Sequence, residues 1–169
     1  IKELSGSKKK LEELSKNLKS KFNIKKGDLS LVVGGPPCQG YSGIGHRRSY
    51  KVDKEKIPSN YLYKEMYKVI EYFDPKAFIF ENVRGLLSAR WTKNGAKGEI
   101  FKDVLKQFSK LKNYNYDYSL VQSKDYGVPQ NRPRVLVIGI RKDIKSKISK
   151  EELFPKKDIS YPHLEELFS

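Results

Sequence analysis

The chain predicts an α/β fold, a sheet with helices laid on its faces, and three features carry that expectation. Apolar residues at helical spacing alternate along the chain with short continuous apolar runs. Glycine or proline closes most of these runs. The composition, 37% hydrophobic and 12% aromatic over 169 residues, suffices for one domain with its own core rather than two.

Leu4, Leu11, Leu14, Leu18 and Phe22 recur at spacings that share one helical face, so an amphipathic helix is expected over 2–22. Gly27-Asp28 interrupts it. The run from Leu29 to Val33 then reads as a buried strand that ends at Gly34-Gly35-Pro36-Pro37. From Gly40 to Pro58 glycines and cations occur without periodicity, which predicts a loop. Leu62, Met66, Val69, Ile70 and Phe73 restore the helical period until Asp74-Pro75 stops it. Ala77 to Phe80 is a second strand, leading into Glu81-Asn82. A helix over about 99–111 places Ile100, Val104, Leu105, Phe108 and Leu111 on one side. Strands at 116–121 and 135–140 follow, separated by the turn chemistry of Asp125-Tyr126-Gly127-Val128-Pro129. Residues 1–143 are thus expected to form the domain, with a Lys-rich tail over 144–169.

Thirty-five Lys and Arg against 20 Asp and Glu give a net charge of +15, which favours a polyanionic partner. The same excess also fits a merely solvated, lysine-rich surface. No apolar run approaches the roughly 20 residues that cross a bilayer, and IKELSGSKKK lacks the apolar stretch of a signal peptide. The chain is therefore expected inside the cell, without a membrane partner. One cysteine excludes an intrachain disulfide and a thiolate zinc site, so no metal is expected. Cys38 is either inert packing or chemistry.

In sheets of this class ligands collect at the carboxyl ends of parallel strands, which is where Cys38 and Glu81 fall. Pro36-Pro37 before the cysteine and Gln39-Gly40 after it make a tight turn that presents the thiol to a cleft. An ordinary thiol, with a pKa of about 8.5, gains from basic neighbours, and Arg132 and Arg134 are the candidates. Glu81, at the end of an apolar strand, suits a proton donor; a helix cap or a salt-bridged surface acid is the alternative. Arg132-Pro133-Arg134 equally suits a solvated turn.

Together these segments are more specific than any of them alone. GGPPCQGYS at 34–42, ENVRG at 81–85 and DYGVPQNRPRV at 125–135 resemble, in order, three signature motifs of the DNA (cytosine-5)-methyltransferases. The resemblance spans about residues 28–142. It implies part of a Rossmann-like, S-adenosylmethionine-dependent methyltransferase sheet with helices on both faces. Cys38 would attack carbon 6 of cytosine, so that carbon 5 takes a methyl group from S-adenosylmethionine. Glu81 would bind the nitrogen 3 and amine edge, and Asn82 would orient that carboxylate and its strand end. Arg134, with Arg132, would hold the oxygen side and support the thiolate. Gln39 belongs to the nucleophile turn, and Gln130 would shape the arginine loop. The target base must be flipped from the duplex, with Ser42, Arg47, Arg48 and Lys51 meeting its phosphates. Such an enzyme suits a microbial restriction-modification system and a cytoplasmic or nucleoid-associated location. RNA cytosine methylation and a non-catalytic nucleic-acid-binding or regulatory subunit are the alternatives.

The chain departs from the family in two expected features, the glycine-rich cofactor motif and the closing segment that returns to the same sheet. Its only Gly-x-Gly, Gly43-Ile44-Gly45, follows the cysteine and has no strand before it, so the usual cofactor motif is missing and Pro37 is left as a weak cofactor contact. The chain is thus expected to be a fragment or one part of a split enzyme. Alone, it should bind S-adenosylmethionine weakly or not at all. A complementary chain or self-association would cover its open sheet edge, and 144–169 would begin the target-recognition region.

Overall fold

A computed structural model describes residues 7–37 and 54–157. The alternation of periods becomes helix α1 (Lys8–Phe22), strand β1 (Leu31–Gly34), helix α2 (Leu62–Phe73), strand β2 (Ala77–Val83), helix α3 (Glu99–Phe108), strands β3 (Tyr114–Gln122) and β4 (Pro133–Arg141), and a short helix α4 (Lys150–Leu153). Single 3-10 turns occupy Lys54–Lys56, Pro58–Tyr61, Arg84–Ser88 and Ser123–Asp125. The four strands form one sheet in the order β1-β2-β4-β3. β1 and β2 are parallel, as their connection through α2 requires, while β4 runs antiparallel to both neighbours. This is the α/β class read from the sequence.

Period-two alternation sorts each strand between two faces. Phe78 and Phe80 of β2, Val135 and Val137 of β4 and Tyr114 of β3 join Met66 and Ile70 of α2 and Ile100, Val104 and Phe108 of α3 in one buried cluster. Each fully buried side chain of this size stabilises the fold by about 1.5–3 kcal/mol. Phe108 lies between two rings, stacked on Phe78 at 5.4 Å and edge-on to Phe80 at 5.5 Å. Opposite Phe78, a Cβ at Gly139 would lie 2.2 Å from Cε1 of the phenyl ring, so this position of β4 takes no side chain. On the other face Ile79, Leu136 and Ile138 are half-buried, and Val33 of β1 stands 63% exposed.

The strands run further than their apolar residues suggest. β2 continues through Glu81, Asn82 and Val83 because these residues pair with Leu136, Val135 and Arg134 of β4. Glu81 therefore lies within a strand rather than beyond one. Helix α3 stops at Phe108, short of the expected Leu111, although Leu111 is still buried. In α1 Leu11 is buried, but Phe22, expected on the same stripe, is 68% exposed. The sequence-expected loop over 40–58 lies mostly outside the described residues; its described end forms 3-10 turns.

At the amino end of β2, away from Glu81, Arg141 ties three loops together. Its Nη1 donates to the carbonyls of Gly27 at 3.2 Å and Asp74 at 2.6 Å, and its Nε to Asp143 at 2.7 Å. Beside it the Tyr114 hydroxyl donates to the Pro75 carbonyl at 2.5 Å, and burial pushes that phenol well above its ordinary range. A hollow lined by Asp74, Asn113, Arg141, Lys142 and Asp143 opens at this end.

Candidate active site

The parallel register sets the site. Gly34 pairs with Phe80, which carries Gly35 alongside Glu81 as the chain leaves β1. A Cβ on Gly34 would sit 2.6 Å from the Met66 sulfur, and one on Gly35 would sit 2.8 Å from Oε2 of Glu81. The Gly34-Gly35 pair thus admits α2 on one side and a carboxylate on the other.

Glu81 and Arg134, 53 residues apart in sequence, meet here because β2 and β4 are neighbours. Nε of Arg134 lies 2.6 Å from Oε1 of Glu81, with the arginine side chain 22% and the glutamate 39% exposed. Nη1 of Arg134 donates to the Pro133 carbonyl at 2.8 Å, which fixes the guanidinium plane. A carboxylate held through one oxygen keeps the other for a second partner, and Oε2 faces Gly35.

Asn82 points to the opposite face and is only 3% exposed. Its Nδ2 donates to the Pro36 carbonyl at 3.1 Å, and its Oδ1 accepts from the Val83 N–H at 2.9 Å. The buried amide therefore reaches across to the loop that precedes position 38, not to the Glu81 carboxylate. Sequence reasoning named Asn82 but missed this partner and Gly35; the doubled glycine was the available signal. Cys38, Gln39, Ser42, Arg47, Arg48 and Lys51 lie outside the described residues. Pro37 is described and exposed.

The arginine loop is built from backbone. The Arg132 carbonyl accepts from the Ser123 N–H at 3.4 Å and the Ser123 hydroxyl at 3.2 Å. The Gln130 carbonyl accepts from the Arg132 N–H at 3.1 Å. Both side chains are exposed, and neither joins the Glu81–Arg134 pair. Among the described residues no cluster of three or more His, Cys, Asp or Glu suits a metal, and no helix is long and apolar enough to cross a membrane.

Pro36 and Lys54, described residues on either side of 38–53, both bond to one stretch of chain. Asn82 bonds Pro36, and the Trp91 carbonyl accepts from the Lys54 N–H at 3.0 Å.

Comparison with known proteins agrees with the motifs. An orphan methyltransferase, M.SPRI of Bacillus phage SPR, is 36% identical over 152 residues, covering 88% of this chain and 31% of its own length. The type II methyltransferase M.DdeI of Desulfomicrobium norvegicum is 37% identical over 123 residues, covering 72% of this chain and 27% of its own length. The chain thus spans less than a third of these curated relatives. A crystal structure described as a DNA modification methyltransferase encoded within a prophage (E. coli) superposes with a TM-score of 0.58 at 28% identity, over 85% of this chain and 34% of that one. The methyltransferase EhMeth of Entamoeba histolytica, at 19% identity and a TM-score of 0.51, shares the fold. The profile of the C-5 cytosine-specific DNA methylases matches residues 4–169, and with the paired Glu81 and Arg134 standing on neighbouring strands, the chain belongs to that family.

Proposed function

We propose that this chain carries the cytosine-attacking part of an enzyme that transfers a methyl group to carbon 5 of cytosine in DNA. The observation that supports it most is the 2.6 Å contact between Arg134 and Glu81, which joins two of the three motifs in one polar pair. In this reading the Cys38 thiolate adds to carbon 6 of a flipped cytosine, and the displaced ring electrons move toward nitrogen 3. Glu81 meets the nitrogen 3 and amine edge through Oε2, while Arg134 holds its other oxygen and places positive charge beside the developing anion. After methylation, loss of the carbon 5 proton expels the sulfur and restores the ring. Asn82 holds the backbone two residues before the nucleophile. Ser42, Arg47, Arg48 and Gln130 are assigned to the DNA, and Arg132, to a lesser degree than Arg134, to the oxygen side of the base and the thiolate.

S-adenosylmethionine, when bound, supplies an electrophilic methyl group. Pro37, its one expected contact among the described residues, is an exposed ring without a side-chain hydrogen-bonding group and cannot by itself hold a nucleoside. The steps assigned to this chain are therefore those on the cytosine. A complementary portion, on the same polypeptide or another, supplies cofactor binding and target reading, in the cytoplasm or on the nucleoid.

The test is covalent trapping. With S-adenosylmethionine and duplex DNA bearing 5-fluorocytosine in its target sequence, the active enzyme forms a denaturant-stable adduct, because fluorine at carbon 5 blocks the elimination. Cys38→Ser abolishes the adduct and leaves DNA affinity within a few-fold. An adduct in Cys38→Ser equal to that of the unsubstituted enzyme would refute the mechanism, and trapping on transfer RNA in preference to DNA would reassign the substrate.

A further inference from the structure

The segment from Arg84 to Gly98 contains four cations, Arg84, Arg90, Lys93 and Lys97, and no acid. All four are exposed, and among the described residues none makes an ion pair or side-chain hydrogen bond. Arg134, Arg141 and Lys145, by contrast, each pair with a carboxylate.

The nearby acids are committed elsewhere. Glu99 accepts the Trp91 N–H through Oε1 and the Ala96 N–H through Oε2 at 3.0 Å. Asp103 accepts the Trp91 indole N–H at 2.7 Å. Both carboxylates thus brace the segment, and neither is in an ion pair with its cations. The Trp91 ring stacks on Tyr61 at 4.8 Å and 12°, and the Lys64 ammonium lies over the Tyr61 ring, 4.6 Å from its centroid. Short backbone bonds close the turn, from the Gly95 N–H to Thr92 at 3.1 Å and from the Glu99 N–H to Ala96 at 3.2 Å. A backbone so fixed adds little ordering cost of its own when a partner binds, beyond that of the cationic side chains themselves.

Its place in the fold indicates the partner. It begins one residue after the Glu81-Asn82-Val83 strand end, and it holds the Lys54 end of the chain that returns from Cys38. We propose that Arg84, Arg90, Lys93 and Lys97 form a phosphate-contacting surface for the duplex that flanks the target cytosine. This rests on the cytosine reading above and adds to it a contact surface separate from the motif residues. Unpaired surface cations beside a base-handling site answer the one feature that every DNA sequence shares, its regularly spaced phosphates.

The experiment measures duplex binding by the protein as a function of salt, using fluorescence anisotropy. Each lost phosphate contact lowers the slope of log K against log salt by about 0.9. R90Q/K93Q/K97Q is expected to reduce the slope by roughly 2–3 and K93Q alone by about 0.9. A charge-matched control on α1, K16Q/K19Q/K21Q, should leave the slope nearly unchanged. An unaltered slope in the triple variant, or an equal fall in the control, overturns the surface. Failure of the unsubstituted protein to bind duplex DNA also overturns the surface, while the covalent trapping above tests the cytosine reading separately.

Discussion

Gly35 and Glu81 approach closely at the site. A methyl group at 35 would lie 2.8 Å from Oε2, so the carboxylate must shift and strain its contact with Arg134. Gly35→Ala is therefore expected to lower methyl transfer by at least tenfold with little change in DNA affinity. Shortening the acid relieves the clash, so Gly35→Ala with Glu81→Asp should exceed Gly35→Ala alone in stability to urea, although both lose activity. No gain in the double variant would show that the glycine serves only the backbone. Asn82 makes a second case. Asn82→Ala leaves the Pro36 carbonyl without its donor and should cost about 1–3 kcal/mol in urea unfolding. These two residues differ in legibility. Asn82 stands in a recognisable motif, whereas its partner is a carbonyl 46 positions away that no residue pattern announces.

Among the elements, β4 is the most demanding, since it is paired on both sides and packed beneath a phenyl ring. Gly139→Ala should destabilise the protein by about 1–3 kcal/mol through overpacking against Phe78. Phe78→Leu in the same chain should recover part of that loss, as read from the thermal midpoint. The positions of helices and strands were legible because the apolar periods are clean over Leu62 to Phe73 and Ala77 to Phe80. Their ends were not. Glu81 and Asn82 look like the start of a loop until β4 lies beside them, and the pairing that draws them into the sheet is set by residues more than 50 positions on. Phe22 completes a helical stripe on paper, yet it lies beyond the neighbours that bury Leu11. Strand pairing and helix docking are tertiary facts, and the sequence pattern stops short of both.

The molecule as a whole carries an alkaline limit. Burial pushes the phenols of Tyr63 and Tyr67, both on α2, up to about 12, against 10 in an unfolded chain. A raised folded value means that the neutral form is favoured by folding, so this stability is intact below about pH 10 and is lost as pH climbs toward 12. Urea midpoints should hold to about pH 9.5 and then fall. Tyr63→Phe should flatten part of that decline, and an identical alkaline profile in wild type and Tyr63→Phe would locate the sensitivity in other groups.

The Pro36 carbonyl and the Lys54 N–H, far apart along the chain, both bond to the single stretch 82–91. Whatever displaces that stretch therefore moves both partners together, so an engineered change anywhere between Asn82 and Trp91 is felt in two distant parts of the sequence at once.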